Sequence, residues 1–388
     1  MLSSLCSELV SGWNPTLTGR PHISAIPETG HQRSGESGHV TDRAPTVVDA
    51  HVHQWDPFAT PRAVSGVAKI VRRAPAVLPA LLRLFPRASR EFIGDPRYLL
   101  DRYLPVDYLQ DSSPVGVDAV VHVEAGWRTK DPLGSVDETQ WVSALPFGIA
   151  GAPVLGAIVV HADPSAPRIA ELLDAHLQAS ALVRGVRCIG AHSDDRGVMN
   201  WTPNAHLYSS ADFLRGFTAV AERGLSFDMW VYGHQLPDAI TLAREYPDTT
   251  FILDHYATPV GAYGPSGKHT GTSSADRRAI LGRWRDDISS LAELPNVVAK
   301  HSGFGMPVLG AGARSHDELR EAAAPLISHL QAAFGPQRTF WSSNFPIDKP
   351  NVALPQTISI LREVLGDQFD QARILHDNAG RVYRLTSN

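Results

Sequence analysis

Two cysteines in 388 residues, Cys6 and Cys188, are too few for a disulfide scaffold, and Cys6 falls in a polar leading stretch. Both thiols are therefore expected to be reduced, which fits a cytoplasmic setting. No run of about 18 apolar residues occurs, so the sequence predicts no transmembrane helix. The opening Met1-Leu2-Ser3-Ser4-Leu5-Cys6 lacks a basic segment followed by a continuous apolar one, so no signal peptide is expected. Excess positive charge is missing too. Against 35 Lys and Arg stand 40 Asp and Glu, a formal net charge of −5, and nothing invites nucleic acid as a partner. What remains is an ordinary globular composition, 43% apolar and 19% charged, long enough to bury a large core.

Residues 1–44 are rich in Ser, Gly, Pro and Thr without an apolar period and read as a disordered extension. From Thr46 onward, short β-branched runs alternate with helical stretches. The runs are 46–51, 117–124, 154–161, 183–189, 226–232, 249–255, 296–302 and 338–343. Helices are expected over 165–180, 209–224, 236–247, 276–294, 316–334 and 354–366, while the region between the second and third runs gives no clear element. Eight strands alternating with helices predict a parallel α/β sheet, and the number eight favours a single (β/α)8 TIM barrel over 45–388. An open doubly wound sheet would normally carry a glycine-rich phosphate loop after its first strand, and His51-Val52-His53-Gln54-Trp55 offers none.

One segment departs from the alternation. Residues 57–90, within an insertion spanning 57–100, carry Arg62, Lys69, Arg72, Arg73, Arg83, Arg87 and Arg90 and no acid. Val67, Ile70, Val71, Val77, Leu78, Leu81, Leu82, Leu84 and Phe85 interleave with them. The pattern fits an amphipathic helical lid over the barrel mouth. An anion-attracting lid, a subunit contact and a membrane-surface helix stay open.

A barrel gathers the C-terminal ends of its strands on one face, where reacting groups collect. Asp49-Ala50-His51-Val52-His53 ends the first run, and strand period two puts His51 and His53 on the same face. Two such imidazoles can share a divalent metal or orient a substrate oxygen. One His-x-His is weak by itself. Here His122 and Glu124 close the second run, His161 the third and Arg187 the fourth. His234 follows the fifth, His255 closes the sixth, Lys300 and Ser302 lie on the seventh, and Asn344 and Asp348 follow the eighth. Recurrence at successive strand ends makes the site.

Taken together these segments resemble the amidohydrolase superfamily, specifically the amidohydrolase-related group of L-fuconolactonases and 2-pyrone-4,6-dicarboxylate lactonases. The matching pieces are Val48 to Pro57, His122-Val123-Glu124-Ala125, Arg184-Gly185-Val186-Arg187, His234-Gln235-Leu236-Pro237, Leu253-Asp254-His255, Asn296 to Gly303, Trp341 to Pro346 and Asp377 to Leu385. The resemblance implies a hydrolase acting on a lactone or related cyclic ester or amide of a small organic acid. It also implies that His51, His53, His234 and His255 are the site histidines. One position departs. The group's Ser-Asp-Trp-Pro-like motif after strand eight supplies an Asp as base toward water, and here that position is Asn344. An amide has no usable basicity near neutral pH. Asp348, Glu124, Asp254 or a histidine can take that role. A non-hydrolytic lyase (decarboxylation or C–C cleavage) or a binding protein that has lost turnover are the other outcomes.

The expected division of labour follows from that resemblance. His51 and His53, with His255, polarise a carbonyl or hold one divalent metal, Zn or Mn, a metal-independent site being equally open. His234 and His255 stabilise an oxyanion or relay protons, Asn344 positions water, and Asp348 is one of the candidate bases. Arg187 and Lys300 pair with a substrate carboxylate beside Glu124, while Trp55 and Tyr232, with Trp127, Tyr256 and Phe304, wall a ring. The expected partner is a small, anionic molecule, and homo-oligomerisation stays open.

Overall fold

The structure, a computed structural model, describes residues 47–311 and 315–385. The leading extension predicted over 1–44, with Cys6, lies outside the described residues. Eight strands follow one another: β1 Val48–Val52, β2 Ala119–Val123, β3 Val154–His161, β4 Val183–Arg187, β5 Ser226–Met229, β6 Phe251–Leu253, β7 Val297–His301 and β8 Thr339–Trp341. Each is parallel to the next, in sequential order. The sheet rounds on itself through the segment after β8. There Asn344 N donates to His51 O and His53 N to Phe345 O, both at 2.9 Å. This is the TIM-barrel architecture expected from eight alternating runs.

Most strands are shorter at their C-terminal ends than the sequence runs. The residues trimmed away, among them Glu124, Tyr232, His255 and Ser302, leave the ladder at the barrel mouth. Helices Ile169–Ala179, Ala211–Glu222, Leu236–Glu245, Ser274–Ala292, His316–Phe334 and Leu354–Leu365 fall where the periodicity put them. The unclear stretch holds a further helix, Val136–Ser143. Its buried face includes Glu138 and Thr139 beside Val136 and Val142, so no apolar stripe announces it.

β1 contains the decisive irregularity. Asp49 pairs with Val120 but Val52 with His122, so β1 spends three residues where β2 spends two. Such a bulge breaks the alternation of faces. Val48 and Ala50 pack among Val121, Val159, Ile252, Val298 and Phe340 in the inner core. Asp49 turns outward to accept a bond from the Tyr108 hydroxyl at 2.7 Å. Beyond the bulge, His51 and His53 both turn inward. Beneath them Tyr383 fills the barrel, 6.2 Å from the Phe340 ring, with its hydroxyl donating to Asp228 at 2.9 Å.

The basic insertion forms helices Ser65–Arg73, Leu78–Leu84 and Arg87–Ile93. The middle one buries none of its residues. The third is anchored by Phe92, whose ring lies 5.7 Å from Trp230 and 6.1 Å from Tyr232, both just past β5. The insertion therefore sits against the mouth. Among the described residues no helix is long and apolar enough to cross a membrane.

Candidate active site

A column of charge rises through the barrel. Lys300 on β7 is fully buried and bonds to Asp228 on β5. Its ammonium also lies 3.0 Å from Asp254 Oδ1 and 3.1 Å from His51 Nδ1. Above it Arg187 grips Glu124 through Nε and Nη2, at 3.0 and 2.7 Å from one carboxylate oxygen. Arg187 Nη1 reaches His51 Nε2 at 3.2 Å and stands 3.6 Å from Asp254. Burial alone would raise the Asp254 carboxyl, but the cation of Lys300 and the neighbouring His51 hold it well below its ordinary value. Burial also raises Glu124, and Arg187 outweighs it.

The histidines are neutral for the opposite reason. Burial, then Lys300, keeps His51 well below its usual pKa, and burial, then Arg187, does the same for His53. Burial brings His255 down to about 3, against the opposing pull of Asp254. His53 Nδ1 meets the carbonyls of Val123 and Glu124 at 2.8 and 3.0 Å. Carbonyls only accept, so the proton sits on Nδ1 and the Nε2 lone pair is free. That lone pair faces His51 Nε2 at 3.2 Å. His51 cannot satisfy both of its cations. Accepting from Arg187 turns Nδ1–H against Lys300, and accepting from Lys300 turns Nε2–H toward Arg187.

His255 is placed at a conformational cost. His255, Tyr256, Ala257 and Thr258 have φ of 50, 57, 48 and 24°, a left-handed turn without glycine. L-residues lose roughly 1–2 kcal/mol each there. Trp284 Nε1 donates to Tyr256 O at 2.7 Å and Trp230 Nε1 to Thr258 Oγ1 at 2.9 Å, fastening the turn. The result brings the His255 ring within 4.7 Å of His51, with Nδ1 on the Ser302 hydroxyl at 2.8 Å. Strain of this kind concentrates at functional positions.

The spacing of these donors suits a divalent ion, which at His51 would compete with Arg187 and Lys300 for the ring nitrogens. Two ligands about 2.0–2.1 Å from a shared tetrahedral metal lie roughly 3.3 Å apart, close to the His51–His53 spacing. The carbonyl bonds on His53 Nδ1 are the outer support that such ligands usually have. One donor atom each from His51, Asp254 and His255 also fall within 4.8 Å of one another.

Asn344 follows β8 at φ 58°, a conformation asparagine tolerates, beside His51. Its amide donates to Asp348 Oδ1 at 2.8 Å, and Gly305 N donates to Oδ2 at 2.9 Å. Burial pushes Asp348 up to about 7, with the two donors opposing and Asp49 adding to the rise.

The structure thus brings together His51, His53, His255, Glu124, Arg187 and Lys300, with Asn344 and Asp348 alongside. It does not bring His234 to them. That residue is exposed on the turn Gly233–Gln235, with His192, Asp194 and Arg283 as its neighbours. The sequence reading gave Arg187 and Lys300 to a substrate carboxylate, whereas here Glu124, Asp228 and Asp254 already occupy them. Trp55 is almost fully buried, and the Tyr232 hydroxyl is spent on Met199 O. Sequence reasoning missed Asp228. Its only signal was a carboxylate inside an apolar run, Ser226-Phe227-Asp228-Met229.

The chain is similar to several known proteins. An uncharacterized protein of Sinorhizobium fredii is 29% identical over 301 residues, 75% of this chain and 89% of the relative. The L-fucono-1,5-lactonase of Burkholderia multivorans is 28% identical over 267 residues, 67% of this chain and 78% of the enzyme. The crystal structure of a Burkholderia multivorans amidohydrolase with bound zinc superposes at a TM-score of 0.62. It has 22% identity and covers 88% of this chain and 99% of its own, a likeness of fold. The amidohydrolase family profile runs from residue 48 to 385, from the first residue of β1 past the Tyr383 plug, and the chain belongs to that family.

Proposed function

We propose that the protein is a hydrolase opening a lactone, or a related cyclic ester or amide, of a small organic acid. The observation that carries this is the tautomer of His53. Its carbonyl-locked Nδ1 leaves a lone pair facing His51, with the Arg187 guanidinium beside it. That lone pair can hold a cation, and the Arg187 guanidinium can stabilise the negative charge that develops on a substrate carbonyl oxygen. A divalent ion, Zn or Mn, would be held by His51, His53 and His255, and would supply Lewis-acid polarisation of the carbonyl.

The base toward water is Asp348. A carboxyl near 7 is half ionised at neutral pH, where Asn344 is not basic at all. Asn344 positions that carboxylate through its amide. The lactonase relative supports ring-opening hydrolysis over a lyase reaction. The domain reading attached to this function is one catalytic barrel over 45–388, with 57–100 as its lid and 1–44 outside the catalytic unit.

Purified protein is incubated with a panel of five- and six-membered lactones in ¹⁸O-labelled water, with metal content measured on the same sample. Incorporation of one label into a new carboxylate is expected. Release of CO₂, or no ring opening across carboxylated and neutral lactones, overturns the reading.

A further inference from the structure

Nine buried side-chain atoms have no hydrogen-bond partner among the described residues, and five of them belong to the corner where the insertion meets β1 and β2. They are both amide atoms of Gln54, Arg62 Nε, the Tyr98 hydroxyl and His122 Nε2. A buried polar atom without a partner costs roughly 1–3 kcal/mol. Natural proteins keep few, so a cluster asks for a ligand.

Arg62 is the centre of the corner. Its guanidinium lies over the Trp55 ring, 4.4 Å from the centroid, and its backbone is pinned by Ser65 Oγ at 2.9 Å. It forms no ion pair among the described residues. The carboxylates near it are committed elsewhere. Glu124 is bound by Arg187 and by Gly126 N at 3.0 Å, and Glu138 by Ala125 N at 2.7 Å, with His122 Nε2 at 3.7 Å. The Tyr98 ring stands 6.4 Å from that of Trp55, and Tyr98 feels the charges of both Arg62 and Asp348. Arg62 thus lies within electrostatic reach of Glu124 and Glu138, and Tyr98 within reach of Asp348. Both come from the insertion, and the barrel supplies the stacking ring.

We propose that Arg62 and Tyr98, on the Trp55 ring, form a subsite for a carboxylate of the bound substrate. A planar guanidinium on an aromatic face presents its fork to a planar anion. Glu124 and Glu138 are near the position, so a planar carboxylate group, carrying one charge, fits better than a phosphate, which carries up to two on one centre. The role first given to Arg187 and Lys300 passes to the one cation of this group without an internal partner. The word substrate rests on the hydrolase reading, whereas the anion subsite stands on its own geometry.

The test separates the two. Glutarate is titrated calorimetrically into the full-length protein and into Arg62→Gln, Arg62→Lys, Tyr98→Phe and, as a control, Arg83→Gln on the exposed helix. Glutarate is expected to bind the parent and Arg83→Gln equally. A charge-assisted hydrogen bond of about 1.5–3 kcal/mol predicts roughly 10- to 100-fold weaker binding for Arg62→Gln, with smaller losses for Arg62→Lys and Tyr98→Phe. Inorganic phosphate is expected to bind more weakly than glutarate. With lactones, Arg62→Gln should raise KM for a carboxylated substrate by more than it raises KM for a neutral one. If Arg62→Gln does not fold, Arg62→Lys and Tyr98→Phe carry the comparison. Equal glutarate binding by parent and folded variants, no binding by the parent, or phosphate bound as tightly as glutarate each overturns the subsite. Glutarate binding without turnover of any lactone upholds the subsite and removes the hydrolase.

Discussion

Replacing Asp348 by Asn tests the residue proposed as the base, which stands beside Asn344. Asp348 lies 1% exposed, held by the Asn344 amide at 2.8 Å and by Gly305 N at 2.9 Å. Its carboxyl is pushed up to about 7 by burial. A general base works only when deprotonated, so kcat/KM of the parent enzyme should climb with pH and level off above about 7. One unit below, about a tenth of the base is ionised, and two units below about a hundredth, giving a limb of unit slope. Asp348→Asn keeps the shape of the side chain but cannot accept the proton. Loss of a general base costs about 10²–10⁴-fold, or roughly 3–5 kcal/mol at 1.36 kcal/mol per decade. The assay is kcat/KM from pH 5 to 9 on a lactone that does not itself titrate there, with circular dichroism confirming the fold. Asn344→Ala removes a donor that steadies the carboxylate, so its limb should move to higher pH. A parent profile flat across 6–8, or an Asp348→Asn variant that keeps the parent's limb, refutes the assignment and returns Glu124 and Asp254 to consideration.

Asn344→Asp would place two carboxylates 2.8 Å apart, and such pairs share one proton, so the limb should shift upward rather than vanish; an unshifted profile counts against the contact. His51→Ala and His53→Ala should each lower kcat by about 10²–10³-fold or more, as loss of a group that holds the polarising cation or stabilises the oxyanion does; near-parent turnover in both would remove the central claim. Lys300→Met should destabilise the fold by about 3–5 kcal/mol, read by denaturant titration, because it leaves Asp228 and Asp254 buried without their cation; adding Asp228→Asn should restore part of the loss. Zinc affinity of chelator-stripped protein, by equilibrium dialysis, should hardly change from pH 6 to 8, since the depressed pKa values of His51, His53 and His255 leave no ligand proton to displace there. A steep rise in affinity across that range would show histidines with ordinary pKa values.

The sequence by itself determined the barrel and most of the site's membership. Alternating β-branched runs and amphipathic helices are local patterns, and a barrel converts strand ends into one face, so His51, His53, Glu124, Arg187, His255 and Lys300 could be picked out by position along the chain. Period two held for His51 and His53 but would also have turned Asp49 inward. The extra residue in β1 reverses that, and a bulge is set by pairing with β2 rather than by the residues of β1. His234 looked equivalent to His255 because both follow a strand. Only the left-handed turn at 255–258, pinned by Trp284 and Trp230 from distant elements, carries one of them inward. Partnering was likewise beyond a linear reading. Which cations are spent on Glu124, Asp228 and Asp254, and which is left over at Arg62, depends on distances between strands and insertion. A chain read one residue at a time carries the charges, and the fold alone decides how they pair.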